Sequence, residues 1–197
     1  MAIMRIFFAG ASGVLGSRII PLLVAGGHEV VGMTRSVEKV EAIRFLGAEP
    51  VVCDVFDLEA LEKAVLAFRP EVIFHELTDL PDDRLLLDEY KSSNSRIRRE
   101  GTRNLVASSR SVSARVIAQS VAWNLPGDGG KAVGDLEKMV LGAQGVVLRY
   151  GQLYGPGTYY EHEPPLPPRI HVSEAALRTA DSLSAPSGVI LIVEQAT

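Results

Sequence analysis

The sequence predicts a three-layer α/β domain: a doubly wound, mostly parallel sheet of about seven strands with helices on both faces. Three observations carry this. Short apolar runs such as Ile3 to Ala9 are dense in Ile and Phe rather than alternating, which suits strands covered on both faces. These runs alternate with segments of helical periodicity, which implies parallel strands joined by right-handed crossovers. The first run stops at a glycine-rich turn that opens the first helix.

The elements follow in order. After the strand Ile3 to Ala9, Val14 to Ala25 reads as a helix with Leu15, Ile19, Leu22 and Leu23 on one face. Pro21 removes one backbone donor from it, and Gly26-Gly27 ends it. Glu29 to Thr34 is the second strand. Ser36 is placed to cap a helix ending near Gly47, and Pro50 to Cys53 is the third strand. Asp57 can cap a helix carrying Leu58, Leu61, Val65 and Phe68, which Arg69-Pro70 stops. Glu71 to His75 is the fourth strand, and a long helix is expected over Arg84 to Ser109. Ala114 to Gln119, a helix over Lys131 to Ala143, and Gly145 to Arg149 come next. Ser173 can cap a final helix, and Gly188 to Glu194 is the last strand. The expected strand order is 3-2-1-4-5-6-7. Glu161 to Arg169 holds Pro164, Pro165, Pro167 and Pro168 and reads as a stiff surface connection.

Composition narrows the class of function. The 197 residues carry 20 Lys+Arg against 24 Asp+Glu, a net charge of −4, which argues against a general nucleic-acid binder. Hydrophobic residues at 47% and charged residues at 22% fit a globular chain with a real core. A lone cysteine, Cys53, rules out an internal disulfide and disfavours a cysteine zinc site, and no metal site is expected. No apolar run is long enough to span a bilayer, and Met1 to Ala9 lacks a basic leader. The expectation is one cytoplasmic domain over residues 1–197, binding neither membrane nor nucleic acid, with a reduced substrate-side region around 155–171.

The most informative motif is Gly10-Ala11-Ser12-Gly13-Val14-Leu15-Gly16, between the first strand and the first helix. Glycines there let backbone approach a pyrophosphate, and the helix N-terminus supplies free N–H groups and a positive dipole end. Gly10, Ser12, Gly13, Val14, Leu15 and Gly16 are therefore candidate cofactor residues. The second strand ends in Thr34-Arg35-Ser36, without the acid that usually binds an adenosine ribose. Arg35 can pair with a 2′-phosphate through its planar fork, with Thr34 and Ser36 adding hydroxyls. This favours NADP over NAD.

These residues, with several later segments, resemble the short-chain dehydrogenase/reductase superfamily in its extended or atypical branch, the NAD-dependent epimerases and dehydratases. Cys53-Asp54-Val55 resembles the adenine-contacting segment. Val72-Ile73-Phe74-His75-Glu76-Leu77 resembles the fourth strand and the loop beside the cofactor, and Glu100-Gly101-Thr102-Arg103-Asn104-Leu105 the long-helix motif. Leu148-Arg149-Tyr150-Gly151-Gln152-Leu153-Tyr154-Gly155-Pro156-Gly157 resembles the segment that passes the nicotinamide, and Ile170-His171-Val172-Ser173-Glu174-Ala175-Ala176 a motif near the end. The resemblance implies a Rossmann fold. It implies cofactor contacts from Asp54, Val55, Leu77, Thr78, Tyr150, Gly151 and Leu153, and dimerisation through Leu86 to Leu105 and Gly134 to Leu141.

The family's chemistry uses a serine and a tyrosine–lysine pair. Ser120 matches the serine, but Gly129 and Val133 stand where the pair is expected, and Arg98 replaces a helix-borne asparagine. Candidates for the lost proton chemistry are Lys131 and Tyr154, with Tyr150, His75 and His171 behind them, since an acid or base need only reach the substrate oxygen. Two functions are expected. The first is an NADP-dependent oxidoreductase or epimerase-type enzyme on a small carbonyl or hydroxyl substrate, with Ser120, Tyr154 and Lys131 as its catalytic group. The second is a non-catalytic NAD(P)-binding sensor or scaffold.

Overall fold

The computed structural model describes residues 3–195. In chain order the elements begin with β1 (Arg5–Ala9), α1 (Gly16–Ala25), β2 (Glu29–Thr34), α2 (Val40–Phe45), β3 (Glu49–Val52), α3 (Leu58–Phe68) and β4 (Val72–His75). They continue with α4 (Lys91–Arg96), α5 (Thr102–Arg110), β5 (Arg115–Val121), α6 (Gly127–Gly142), β6 (Val146–Tyr150), β7 (Gln152–Tyr154), β8 (Arg169–His171), α7 (Val172–Asp181) and β9 (Gly188–Ile192). Seven strands form one parallel sheet in the order β3-β2-β1-β4-β5-β6-β9, which is the expected order with β9 as the seventh strand. The short parallel pair β7-β8 forms a second sheet that periodicity did not predict.

The unbroken apolar runs have their explanation in the two cores. Ile6, Phe8, Phe74, Ile117 and Leu148 pack with Ile19, Ile20 and Leu23 of α1 and with Val172, Ala175 and Ala176 of α7. Phe7 and Ile73 point the other way, toward Leu61 and Val65 of α3 and Leu105 of α5. Val116, Ala118 and Val147 meet Leu136 and Val140 of α6. Successive strand residues thus serve opposite cores, so no position of β1 from Ile6 to Ala9 is free to be polar. Pro21 lies on the exposed face of α1, where water can satisfy the carbonyl that its missing N–H leaves free.

Local chemistry sets the helix ends, and here several expectations are corrected. Asp57 does cap α3, its Oδ1 accepting from the Ala60 N–H at 3.0 Å, and Arg69 ends that helix in the left-handed region at φ 52°. Ser36 does not cap a helix. Its hydroxyl donates to the Glu38 carboxylate, and a short turn over Val37–Lys39 precedes α2. Ser173 does not cap α7 either: the His171 ring does, Nδ1 accepting from the Ser173 N–H at 3.3 Å. The long helix begins at Lys91, not Arg84, because Asp83 closes a separate turn by accepting from the Leu85 N–H. A π-turn over Ile97–Gly101 then joins α4 to α5. The sixth helix begins four residues early, at Gly127 after extended Pro126. Among the described residues no helix is long and apolar enough to cross a membrane.

Candidate functional site

The topology reverses between β1 and β4, which opens a crevice at their carboxyl ends. The glycine turn lies in it. Gly10 sits at φ +100°, and a Cβ there would lie 2.6 Å from the Glu76 carbonyl oxygen, so only glycine fits. Gly13 donates its N–H to the Gly10 carbonyl at 3.1 Å. A side chain at Gly16 would meet the Ala11 carbonyl oxygen at 2.8 Å. The Ala11 N–H donates to Met33 and ties the turn to β2. No side chain caps α1 and no acid lies in its first turn. The amides of Ser12, Val14 and Leu15 have no acceptor among the described residues. The turn is therefore an anion cradle of the right chemistry for a pyrophosphate.

Across the crevice, Arg35 follows β2 and pairs with Asp79 in the loop after β4, Nη2 to Oδ1 at 2.7 Å. Asn94 of α4 holds that loop, its Oδ1 accepting from the Asp79 N–H at 3.2 Å. Thr34 is buried and its hydroxyl oxygen accepts from the Ser36 N–H at 3.2 Å. Asp54 turns back to accept from the Phe56 N–H at 2.9 Å, and the Val55 carbonyl accepts from Asn104 at 2.9 Å.

The ends of β4, β5 and β6 hold a second group of polar residues. His75 is fully buried with Nε2 2.9 Å from the Thr102 hydroxyl. Burial, with Arg98 nearby, pushes its imidazole down to about 4, so the ring is neutral. Glu76 is buried on the opposite face of the sheet, and burial lifts its carboxyl to about 8. Tyr150 donates to Glu76 Oε1 at 3.1 Å and lies 2.6 Å from the Thr179 hydroxyl, while Glu76 Oε2 has no partner. The Leu77 carbonyl accepts from Gln119 at 2.8 Å, and Thr78 is exposed. Gly151 lies hard against the Arg169 backbone, and Leu153 packs on the core beside α1 and α7.

The three residues singled out for proton chemistry have separate surroundings. Ser120 is buried and donates to Glu137 Oε1 at 2.6 Å. Arg149 holds the same carboxylate by two bonds, 2.8 and 2.6 Å, and so keeps the Glu137 carboxyl below the usual range. Tyr154 donates to Glu194, which Arg169 also holds at 2.9 Å. That carboxylate raises the Tyr154 phenol, and the His171 ring meets the phenol edge-on at 5.2 Å. Lys131 is exposed on α6. No hydrogen bond joins any two of the three.

Glu137, Glu76 and Asp79 are the residues that sequence reasoning did not single out. Only Glu137 left a signal. It follows Leu136 and precedes Val140 on the face of α6 that is otherwise buried, and an acid at a core position demands a partner.

A parallel sheet wound both ways around a glycine turn with free amides defines a dinucleotide-binding α/β protein. The family model described as NAD(P)H-binding matches residues 10–144, and the chain belongs to that family. A relative from Streptomyces sp, named as a 3-diazoavenalumate denitrifying reductase, is 39% identical over 189 residues. That match covers 81% of this chain and 60% of the relative, so the chain spans less than two thirds of the relative's length. The UDP-glucose 4-epimerase of Thermus thermophilus, solved in complex with NAD, has a TM-score of 0.77 at 19% identity over 96% of this chain and 78% of that one. The enzyme WbmG of Bordetella bronchiseptica, also solved with NAD, gives 0.76 at 18% over 98% and 73%. The chain shares its fold with these two NAD-bound enzymes.

Proposed function

We propose that the protein is a reductase that takes NADPH and reduces a small carbonyl substrate. One observation carries the reading: the anion cradle of Gly10 to Gly16 faces a β2 terminus that offers Arg35 where a ribose-binding acid would stand. Bound there, the dinucleotide supplies hydride from its nicotinamide ring. The amides of Ser12, Val14 and Leu15 hold its pyrophosphate, and Arg35 exchanges Asp79 for the 2′-phosphate. Lys131 on the first turns of α6 gives the proton to the substrate oxygen, since its ammonium has no hydrogen-bond partner among the described residues. Ser120, whose own proton is committed to Glu137, can accept only from a donor group of the substrate and does not hold the carbonyl oxygen itself. The reductase name of the Streptomyces relative supports reduction over epimerisation.

The test is titration of purified protein with NADPH and NADH, followed by Trp123 fluorescence and calorimetry, then loss of nicotinamide absorbance against a carbonyl panel. NADPH binding with turnover is the expected result. Failure to bind either dinucleotide refutes the reading. The hydroxyl protons of Ser120 and Tyr154 are both engaged by carboxylates, which favours a second reading, a non-catalytic NADPH-binding sensor. Binding without turnover across the panel selects it.

A further inference from the structure

We propose that Arg98 is the substrate-side anion anchor of this site and that it selects substrates bearing a single carboxylate. The proposal rests on the reductase reading for the role of the ligand, but not for its chemistry.

Arg98 lies in the π-turn between α4 and α5, on the helix face that also carries Asn94 and Thr102. The two neighbours reach the end of β4 and the loop that follows it: Thr102 meets the His75 ring, and Asn94 accepts from the Asp79 N–H. Arg98 therefore lies on the helix face turned toward the end of β4, where its charge acts on the His75 ring. The flanking arginines are spoken for. Arg96 pairs with Glu100, and Arg99 pairs with Asp128 and Asp135 of α6. Arg98 has no hydrogen bond or ion pair among the described residues. Arg69, Arg84, Arg103 and Arg110 also have none, but all four are exposed, whereas Arg98 is half-buried.

Half-burial strips part of the hydration from this guanidinium with no anion in exchange, which is costly, and burial lowers its proton affinity. The groups beside it do not relieve that cost. His75 is neutral, and Glu76 turns to Tyr150 across the sheet with its carboxyl pushed up to about 8. None of the Arg98 nitrogens is sealed from solvent without a partner, so the fork remains open to a ligand. π-Turns recur at functional sites, and a planar fork suits a carboxylate held by two bonds. The pyrophosphate already has its cradle beside α1. One cation matches a monoanion, and the carboxylate of a substrate supplies it.

The test uses the full chain, with and without NADPH, and calorimetric titration of benzoate, its neutral twin benzamide, and inorganic phosphate. Wild-type protein should bind benzoate and not benzamide. Arg98→Gln should weaken benzoate at least tenfold with NADPH binding unchanged, and Arg98→Lys should fall between. Its melting temperature should equal or exceed the wild-type value, because the substitution orphans no acid. Several results overturn the proposal: no benzoate binding by wild type, equal binding by Arg98→Gln, preference for phosphate, or a variant melting far below wild type. Loss of NADPH affinity in Arg98→Gln also overturns it, since the cation then serves the dinucleotide's own phosphates. Failure of NADPH to bind at all refutes the reductase reading alone, and the benzoate titration without cofactor still decides the role of Arg98.

Discussion

The Ser120 hydroxyl of β5 donates to the Glu137 carboxylate of α6 at 2.6 Å, and Arg149 of β6 grips the same carboxylate from the neighbouring strand. Ser120 is thus one member of a hydrogen-bonded triad that joins helix to sheet. Removing it leaves the ion pair intact. Ser120→Ala should cost about 1 kcal/mol, a fall in melting temperature of about 2–4 °C. Glu137→Ala should cost more, because both Ser120 and Arg149 lose their acceptor. A thermal-melt double-mutant cycle separates the two contributions, and equal losses would show that the serine carries the whole effect.

Glu76 makes stability pH-dependent in an unusual direction. Its carboxyl is held at about 8 in the fold against an ordinary 4.5. Between those values the native state binds more protons than the unfolded chain, so stability falls as pH rises through that window. Glu76→Gln should flatten the curve and raise stability at pH 8. Melting temperatures of both proteins across this pH range check the sign. A wild-type profile that rises toward pH 8 as steeply in both proteins would contradict it.

Arg35 is paired with Asp79, and the NADPH reading has a 2′-phosphate take that acid's place. Arg35→Ala should weaken NADPH about 10- to 100-fold and leave NADH nearly unchanged, the worth of a charge-assisted pair. Asp79→Asn should tighten NADPH by releasing the guanidinium. Paired calorimetric titrations of the two dinucleotides decide, and an Arg35→Ala protein that keeps its preference removes Arg35 from the site.

Three glycines provide a graded test of backbone constraint. Gly10→Ala must accept φ +100° and a clash with the Glu76 carbonyl, so it should lose about 2 kcal/mol or more and its NADPH binding. Gly16→Ala should behave likewise, through the Ala11 carbonyl. Gly134 lies inside α6 with open space around it. Gly134→Ala should therefore stabilise the protein by about 1 kcal/mol. Denaturant melts of the three variants give the ranking.

The sheet was legible because its information is local and repeated. The strands of the main sheet are built around apolar residues and the crossovers carry a helical period, so order and handedness follow from general rules. The glycine turn was legible for the same reason, since backbone approach demands glycine at fixed spacing. The helix ends were harder. Ser36 and Ser173 have the residue type of caps, yet Glu38 captures one and His171 takes the place of the other. A cap depends on which acceptor is nearest in space, and composition does not record that.

The sequence by itself determined the parallel sheet, its strand order and the anion cradle at the first turn. Those properties belong to single segments and to their succession. Only the tertiary structure decided which charges are spent and which remain. Ser120 and Glu137, Arg35 and Asp79, and Tyr150 and Glu76 are separated by 17, 44 and 74 residues. Nothing in either partner's own neighbourhood announces the other. Arg96 has Glu100 four residues on as a local partner, but only folding brings Asp128 and Asp135 to Arg99 while leaving Arg98 half-buried and unpaired. Electrostatic pairing acts through space at a few ångströms, so it is fixed when the elements pack and not before.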